Sequence, residues 1–187
     1  FIDDVQTVTN EFLKCRGFTV GYDDIKRHRK LKLETESIIK KVKNDIEEYI
    51  DAVYAKKSKL SPTDFEQNIC NQLNKARDNV GSAVMKHINP NNAFHAMIDA
   101  GAKGNPLNLY QILGALGQQT LQWQGKQGRV PMIVNNRTYP CFTKHDISAE
   151  ARGAIEGSYA KGLNGIEAFV HAQAGRKGVV DSAVKTA

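Results

Sequence analysis

SIIKKVKNDIEEYIDAVYAKKSKLSPTDFEQNICNQLNKARDNVGSA, residues 37–83, decides the fold. In its first half Ile39, Val42, Ile46, Tyr49, Ile50 and Val53 recur at spacings of three and four, one apolar stripe on a charged rod. Ser61-Pro62-Thr63-Asp64 restarts the helix, with Ser as N-cap, Pro at the first helical position and Asp in the first turn. Phe65, Ile69, Leu73, Ala76, Val80 and Ala83 then form a second stripe. Two narrow stripes joined by a short turn bury themselves against each other, so the stretch predicts an antiparallel helical hairpin. Its first arm, within residues 24–59, is a rod of roughly 24 residues, about 36 Å of helix.

Working outward, Ile2, Val5, Val8 and Phe12 predict a helix over residues 1–16, closed by Gly17 as a C-cap. Phe18-Thr19-Val20 is a brief β-like run. Asn89-Pro90-Asn91-Asn92 is a turn, and residues 93–100 form a short amphipathic helix ended by Gly101. Residues 120–145, with Gly125, Gly128, Pro131 and Pro140, predict loops with at most a short strand. The last helix starts at Asn164, with Glu167 three residues on as a capping box. Its stripes (Ile166, Phe169, Val170, then Val179, Val180, Ala183, Val184, Ala187) are predicted to be interrupted at Gly175 and Gly178, each costing about 1 kcal/mol relative to Ala. The chain stops inside this helix, which predicts a piece of a longer protein.

The 187 residues carry a net charge of +6, and a pI near 9.2 is compatible with a nucleic-acid partner. No run approaches the ~18 apolar residues of a membrane span. Cys15, Cys70 and Cys141 are far apart, which predicts reduced thiols. The five histidines are scattered, away from metal-ligand spacing. Lys26, Arg27, Arg29, Lys30 and Lys32 form a basic cluster that reads either as a solvated face or as a phosphate-attracting surface.

HAQAGRKGVVDSAVKTA, residues 171–187, resembles the start of the bridge helix in the largest subunit of multisubunit DNA-dependent RNA polymerases, commonly close to HAMAGREGLIDTAVKTA. The preceding motifs resemble the funnel of the same subunit, in the same order: GFTVGYDD (17–24), LNKARDNVG (73–81), GAKGNPLNLYQI (101–112), GQQ (117–119), and RTYPCF (137–142). GAKGN is similar to the archaeal, eukaryotic and large-DNA-virus pattern, with Asn105 in place of Ser. Lys126 with Arg129 and Pro131 resembles a further family motif with inserted residues. Cys141 stands where His is common and is expected to be a packed thiol. Ala154, Gly157 and Lys177 are further departures, the last replacing a usual Glu.

The resemblance implies a mainly α chain in three parts. Residues 1–88 are the funnel entry and helical hairpin, 89–163 the pore-side helices with a Gly/Pro-rich connector and little β, and 164–187 the bridge-helix start. It implies that Lys185, Thr186 and Ala187 meet the template, and that Arg77, Gln118, Gln119, Lys126, Ala174 and Lys177 line the pore and the amatoxin pocket. Lys177 puts amatoxin sensitivity in doubt. The family's metal-binding aspartate motif is absent from these residues, so the resemblance implies Mg2+ bound outside them and no catalytic residue or metal ligand within them. The implied partners are the second-largest and smaller polymerase subunits, DNA template, RNA, nucleoside triphosphates and a transcript-cleavage factor, with no membrane. The implied location is the nucleus, or host cytoplasm and virion if the source is a large DNA virus.

Two other readings stay open. A free-standing basic helical module that binds nucleic acid or a protein partner accounts for the charge. A nucleotide hydrolase using the Gly-rich loop at residues 101–105 needs a carboxylate-bound Mg2+ that the sequence does not locate, and the loop lacks Walker spacing.

Overall fold

The computed structural model describes residues 1–55, 61–123, 126–129 and 137–187. Its backbone is mainly α-helical. Helix α2 (Arg29–Ala55) and helix α3 (Pro62–His87) form the expected antiparallel hairpin. Ile46 and Ile50 meet Ile69 and Leu73 at the tip, whereas Leu31 meets Ala83 and Val84 at the base. Ser61 caps α3 by accepting from the Asp64 amide at 3.1 Å. At the tip, Phe65 stacks on Tyr49 with ring centroids 6.0 Å apart. At the base, Lys86 and His87 both reach Glu34, and His87 Nε2 lies 2.5 Å from its carboxylate.

Helix α1 (Ile2–Arg16) ends as its sequence predicts, with Gly17 at φ 67° donating its amide to the Leu13 carbonyl. Its apolar residues, among them Ile2, Val8 and Phe12, are exposed. Residues 18–20 pair with no strand among the described residues, so the β-like run is connecting chain. The short 3-10 turn that follows, Tyr22–Ile25, is fixed by Asp24. One Asp24 carboxylate oxygen accepts from the Gly21 amide and the other from the Ala93 amide, both at 2.8 Å. The two backbone donors, Ala93 first, hold Asp24 below its ordinary pKa. The acidic residue after GFTVG therefore clasps the entry to the hairpin onto helix α4 (Ala93–Asp99).

Asn92 caps α4, and Asn105 caps helix α5 (Pro106–Leu113) through a reciprocal capping box with Asn108. The small polar residue at position 105 thus has a local task. Its box occupies the amides of Asn105 and Asn108, which a phosphate would need in the hydrolase reading. Helix α5 packs on α3 at close range because Gly81 has no side chain. A Cβ there would lie 2.4 Å from the Tyr110 ring.

Strand β1 (Gly117–Gln118) pairs antiparallel with strand β4 (Ala154–Ile155), Gln118 opposite Ala154. Strands β2 (Thr120–Trp123) and β3 (Lys126–Arg129) form a second antiparallel pair. The connector is thus more regular than loops with at most a short strand; residues 124–125 and 130–136 of that stretch lie outside the described residues. Cys141 corrects another expectation: it is exposed. It lies in a turn closed by the Phe142 amide on the Tyr139 carbonyl, and that turn directs Tyr139 onto Phe169.

Helix α6 (Gly165–Thr186) corrects the predicted interruption, because it runs unbroken across Gly175 and Gly178. The Asn164–Glu167 capping box starts it, and a Lys177–Asp181 pair at 2.6 Å spans Gly178. Together with the packing of Val170 (2 % exposed) on Leu116 and Ile155, these offset two glycines at about 1 kcal/mol each.

Candidate functional site

The hairpin, the β1–β4 pair and the first turns of α6 converge on Gln118 and Gln119. Gly117, at φ 75°, makes the tight turn into this segment, and a Cβ there would lie 2.9 Å from Arg77 Cγ. The aliphatic part of Arg77 thus lies flat on Gly117, while its guanidinium turns to Asp78 at 3.1 Å. Gln118 is 4 % exposed and donates to the carbonyls of Gln119 at 2.9 Å and Arg152 at 2.7 Å. Among the described residues its side-chain oxygen has no hydrogen-bond partner, and Gln118 lines a cavity of about 40 Å³ together with Arg77. Gln119 donates from Nε2 to the Gly117 carbonyl at 3.2 Å, and its oxygen meets His171 Nδ1 at 3.2 Å. On its other side His171 Nε2 lies 2.8 Å from the Tyr159 hydroxyl. Ala174, one turn further, packs against the Leu116–Ile155–Val170 cluster.

Arg77 and Gln118 therefore line one cavity, while Gln119 meets α6 at His171, one turn before Ala174. Lys177 follows one turn later in its pair with Asp181. Lys126 opens β3 opposite Trp123. Lys185, Thr186 and Ala187 stand apart, on an exposed end about 18 Å of helix beyond Ala174. There Thr186 donates to the Ser182 carbonyl at 2.9 Å and Val184 is 70 % exposed.

With this geometry in place, comparison with known proteins is decisive. Residues 48–155, from the distal half of α2 to β4, match the family described as RNA polymerase Rpb1, domain 4. The whole chain aligns with the DNA-directed RNA polymerase subunit Rpo1N of Methanocaldococcus jannaschii at 34 % identity over 192 residues. The chain belongs to the largest-subunit family of DNA-directed RNA polymerases. It covers 14 % of the length of that archaeal relative.

In this polymerase segment a charged network ties the hairpin to the connector, and sequence reasoning missed it. Lys43 of α2 pairs with both Glu150 and Glu156. Burial pushes the Glu150 carboxyl up, but Lys43, a backbone hydrogen bond and a side-chain bond with Glu156 together hold the group below its ordinary range. Burial likewise pushes the Lys43 ammonium down, and its bonds to Glu150 and Glu156 leave it raised. Arg152, 3 % exposed, forks onto Glu66 of α3 at 3.2 and 3.3 Å. Glu167, legible in the sequence as a capping residue, also accepts from the Glu156 and Gly157 amides at 2.9 Å each. Lys43, Glu150, Glu156 and Glu167 border a cleft of about 620 Å³ whose floor includes Ile155 and Val170.

Among the described residues, no three His, Cys, Asp or Glu side chains are grouped to hold a metal ion. The donor set here does not fit the family's Mg2+ site. Among them, too, no helix is long and apolar enough to cross a membrane.

Proposed function

We propose that residues 1–88 form the funnel entry and hairpin of a polymerase largest subunit, residues 89–163 its pore side, and residues 164–187 the start of its bridge helix. In this reading the segment guides nucleoside triphosphates inward through the secondary channel and presents the template during DNA-templated RNA synthesis in the assembled enzyme. The observation that carries it is the division of α6. Its first half is docked on the Gln118–Gln119 segment, and its second half projects Lys185, Thr186 and Ala187 outward. Small side chains at 186 and 187 let a nucleobase approach the helix, and Lys185 offers charge to template phosphate.

Catalytic Mg2+ belongs to another part of the enzyme, and the partners are the second-largest and smaller subunits, DNA, RNA and a cleavage factor docking at the funnel. In a nucleated cell the enzyme works in the nucleus, and for a large DNA virus in host cytoplasm or virion. The test is purification of the intact parent protein from its source, with identification of co-purifying chains and a templated RNA-synthesis assay. A second large subunit and template-dependent RNA are expected. A lone protein without synthesis would overturn the reading.

A further inference from the structure

Around the neutral His171 ring the hydrogen bonds have one consistent direction. The Gly117 carbonyl can only accept, so the Gln119 amide presents its NH2 group there at 3.2 Å. The Gln119 oxygen is left facing His171 Nδ1 at 3.2 Å and can only accept. Nδ1 therefore carries the proton, and in the neutral ring the Nε2 lone pair accepts from the Tyr159 hydroxyl at 2.8 Å. The chain runs from Tyr159 through His171 and Gln119 to Gly117.

Both ends are fastened to backbone. The Tyr159 amide donates to the Gln111 carbonyl at 3.1 Å and the Ala160 amide to the Ile112 carbonyl at 3.0 Å, which fixes this turn on α5. The Gln119 amide donates to the Gly153 carbonyl at 3.0 Å, and Gln118 holds the Gln119 carbonyl. His171 is thus an α6 side chain held from two sides, by the turn at Tyr159 and by the Gln119 segment.

We propose that Tyr159, His171 and Gln119 are positioning residues: a directed hydrogen-bond relay that sets the rotation of α6 and so the placement of its exposed end. None of the three touches the reacting atoms in this account. The kinetic part of the inference rests on the bridge-helix reading, while the docking part does not.

The experiment uses the assembled polymerase carrying full-length subunit with His171→Leu, His171→Asn, Gln119→Leu, Tyr159→Phe, or Leu at both 119 and 171. Single-nucleotide addition gives kcat and KM, and hydrogen–deuterium exchange follows residues 165–174. His171→Leu and Gln119→Leu are expected to lower kcat about tenfold with KM within about twofold, the loss of one half-buried link. The double variant should match His171→Leu, because that substitution alone already breaks the bond to Gln119. His171→Asn places an N–H near the Nδ1 position and should recover most of the rate; Tyr159→Phe should cost about threefold or less. Exchange over 165–174 should rise about tenfold in His171→Leu and return toward wild type in His171→Asn.

A His171→Asn enzyme as slow as His171→Leu, effects that multiply in the double variant, or a loss confined to KM would overturn the relay. Unchanged exchange in His171→Leu would do the same. If the wild-type enzyme makes no templated RNA, the proposed function falls, and the exchange result alone decides the relay.

Discussion

The two halves of α6 obey different rules although they form one continuous helix. In residues 165–174, Glu167 collects three backbone amides, Val170 is buried, His171 is gripped from two sides, and Tyr139 donates to Gln173 while packing edge-on against Phe169. In residues 176–186, Val179 and Val184 are exposed, and the Lys177–Asp181 pair and the Thr186 bond to Ser182 lie within the helix. The difference teaches that this helix is positioned from its first half, and that the second half offers its surface to whatever approaches it.

The contrast breaks most visibly through charge. Val170→Asp places a carboxylate among Leu116, Ile155 and Leu163, and should cost about 3 kcal/mol or more in local opening of α6. Val179→Asp, on the exposed half, should change it by no more than about 0.5 kcal/mol. Hydrogen exchange of α6 measures both, and equal effects would erase the distinction.

Glycines sharpen it. A Cβ at Gly157 would lie 2.6 Å from Leu163 and 2.8 Å from the Gly162 carbonyl, so Gly157→Ala should cost about 1–3 kcal/mol. Gly175 and Gly178 have open space around them, so Ala at either should stabilise the helix by about 0.5–1 kcal/mol. The same exchange experiment reads the sign at each position.

Next in size is the tie between hairpin and connector. Glu150 is held below its ordinary pKa, so its contribution is present above the unfolded value near 4.3 and is lost as pH falls through the depressed one. Lys43 is raised, so its contribution is complete below an unfolded value of about 10.4 and is lost as pH climbs through the raised one. Docking of residues 150–156 on α2 should therefore be flat from about pH 5 to 10 and weaken at either extreme. Lys43→Met should abolish the alkaline loss, weaken the acid one and cost about 1 kcal/mol, since the pair is only half-buried. Limited proteolysis of the connector across pH checks it.

The smallest effect concerns Lys177. Lys177→Glu replaces an i,i+4 ion pair with repulsion from Asp181, about 0.5 kcal/mol of helix stability. In this account the wild-type assembled enzyme binds amatoxin poorly and Lys177→Glu tightens it, as an equilibrium binding assay would detect.

Much of this is legible in the sequence. The hairpin follows from two stripes because each side chain's neighbours lie three or four residues away, and the caps at Ser61 and Asn164 are equally local. The motifs point to Arg77, Gln118, Gln119 and Ala174; Arg77 and Gln118 line one small cavity, and Ala174 lies one turn beyond the His171 that meets Gln119. What periodicity does not reach are partners far apart in the chain. Gln119 and His171 are 52 residues apart, Lys43 and Glu150 107, and nothing in either local pattern marks the other. The unbroken course of α6 was missed for a related reason. Helix propensity charges each glycine its cost, but the burial of Val170 and the Glu167 bonds that offset it come from the connector.

The most direct measurement places a photo-crosslinking amino acid at position 186, and in a parallel enzyme at position 168, of the full-length subunit. Each assembled polymerase is then irradiated on a DNA template paused at a defined base. The account predicts that position 186 crosslinks to the template strand beside the incoming nucleotide and that position 168 does not. Crosslinks from position 186 to protein alone, with template captured from neither site or only from 168, would contradict it.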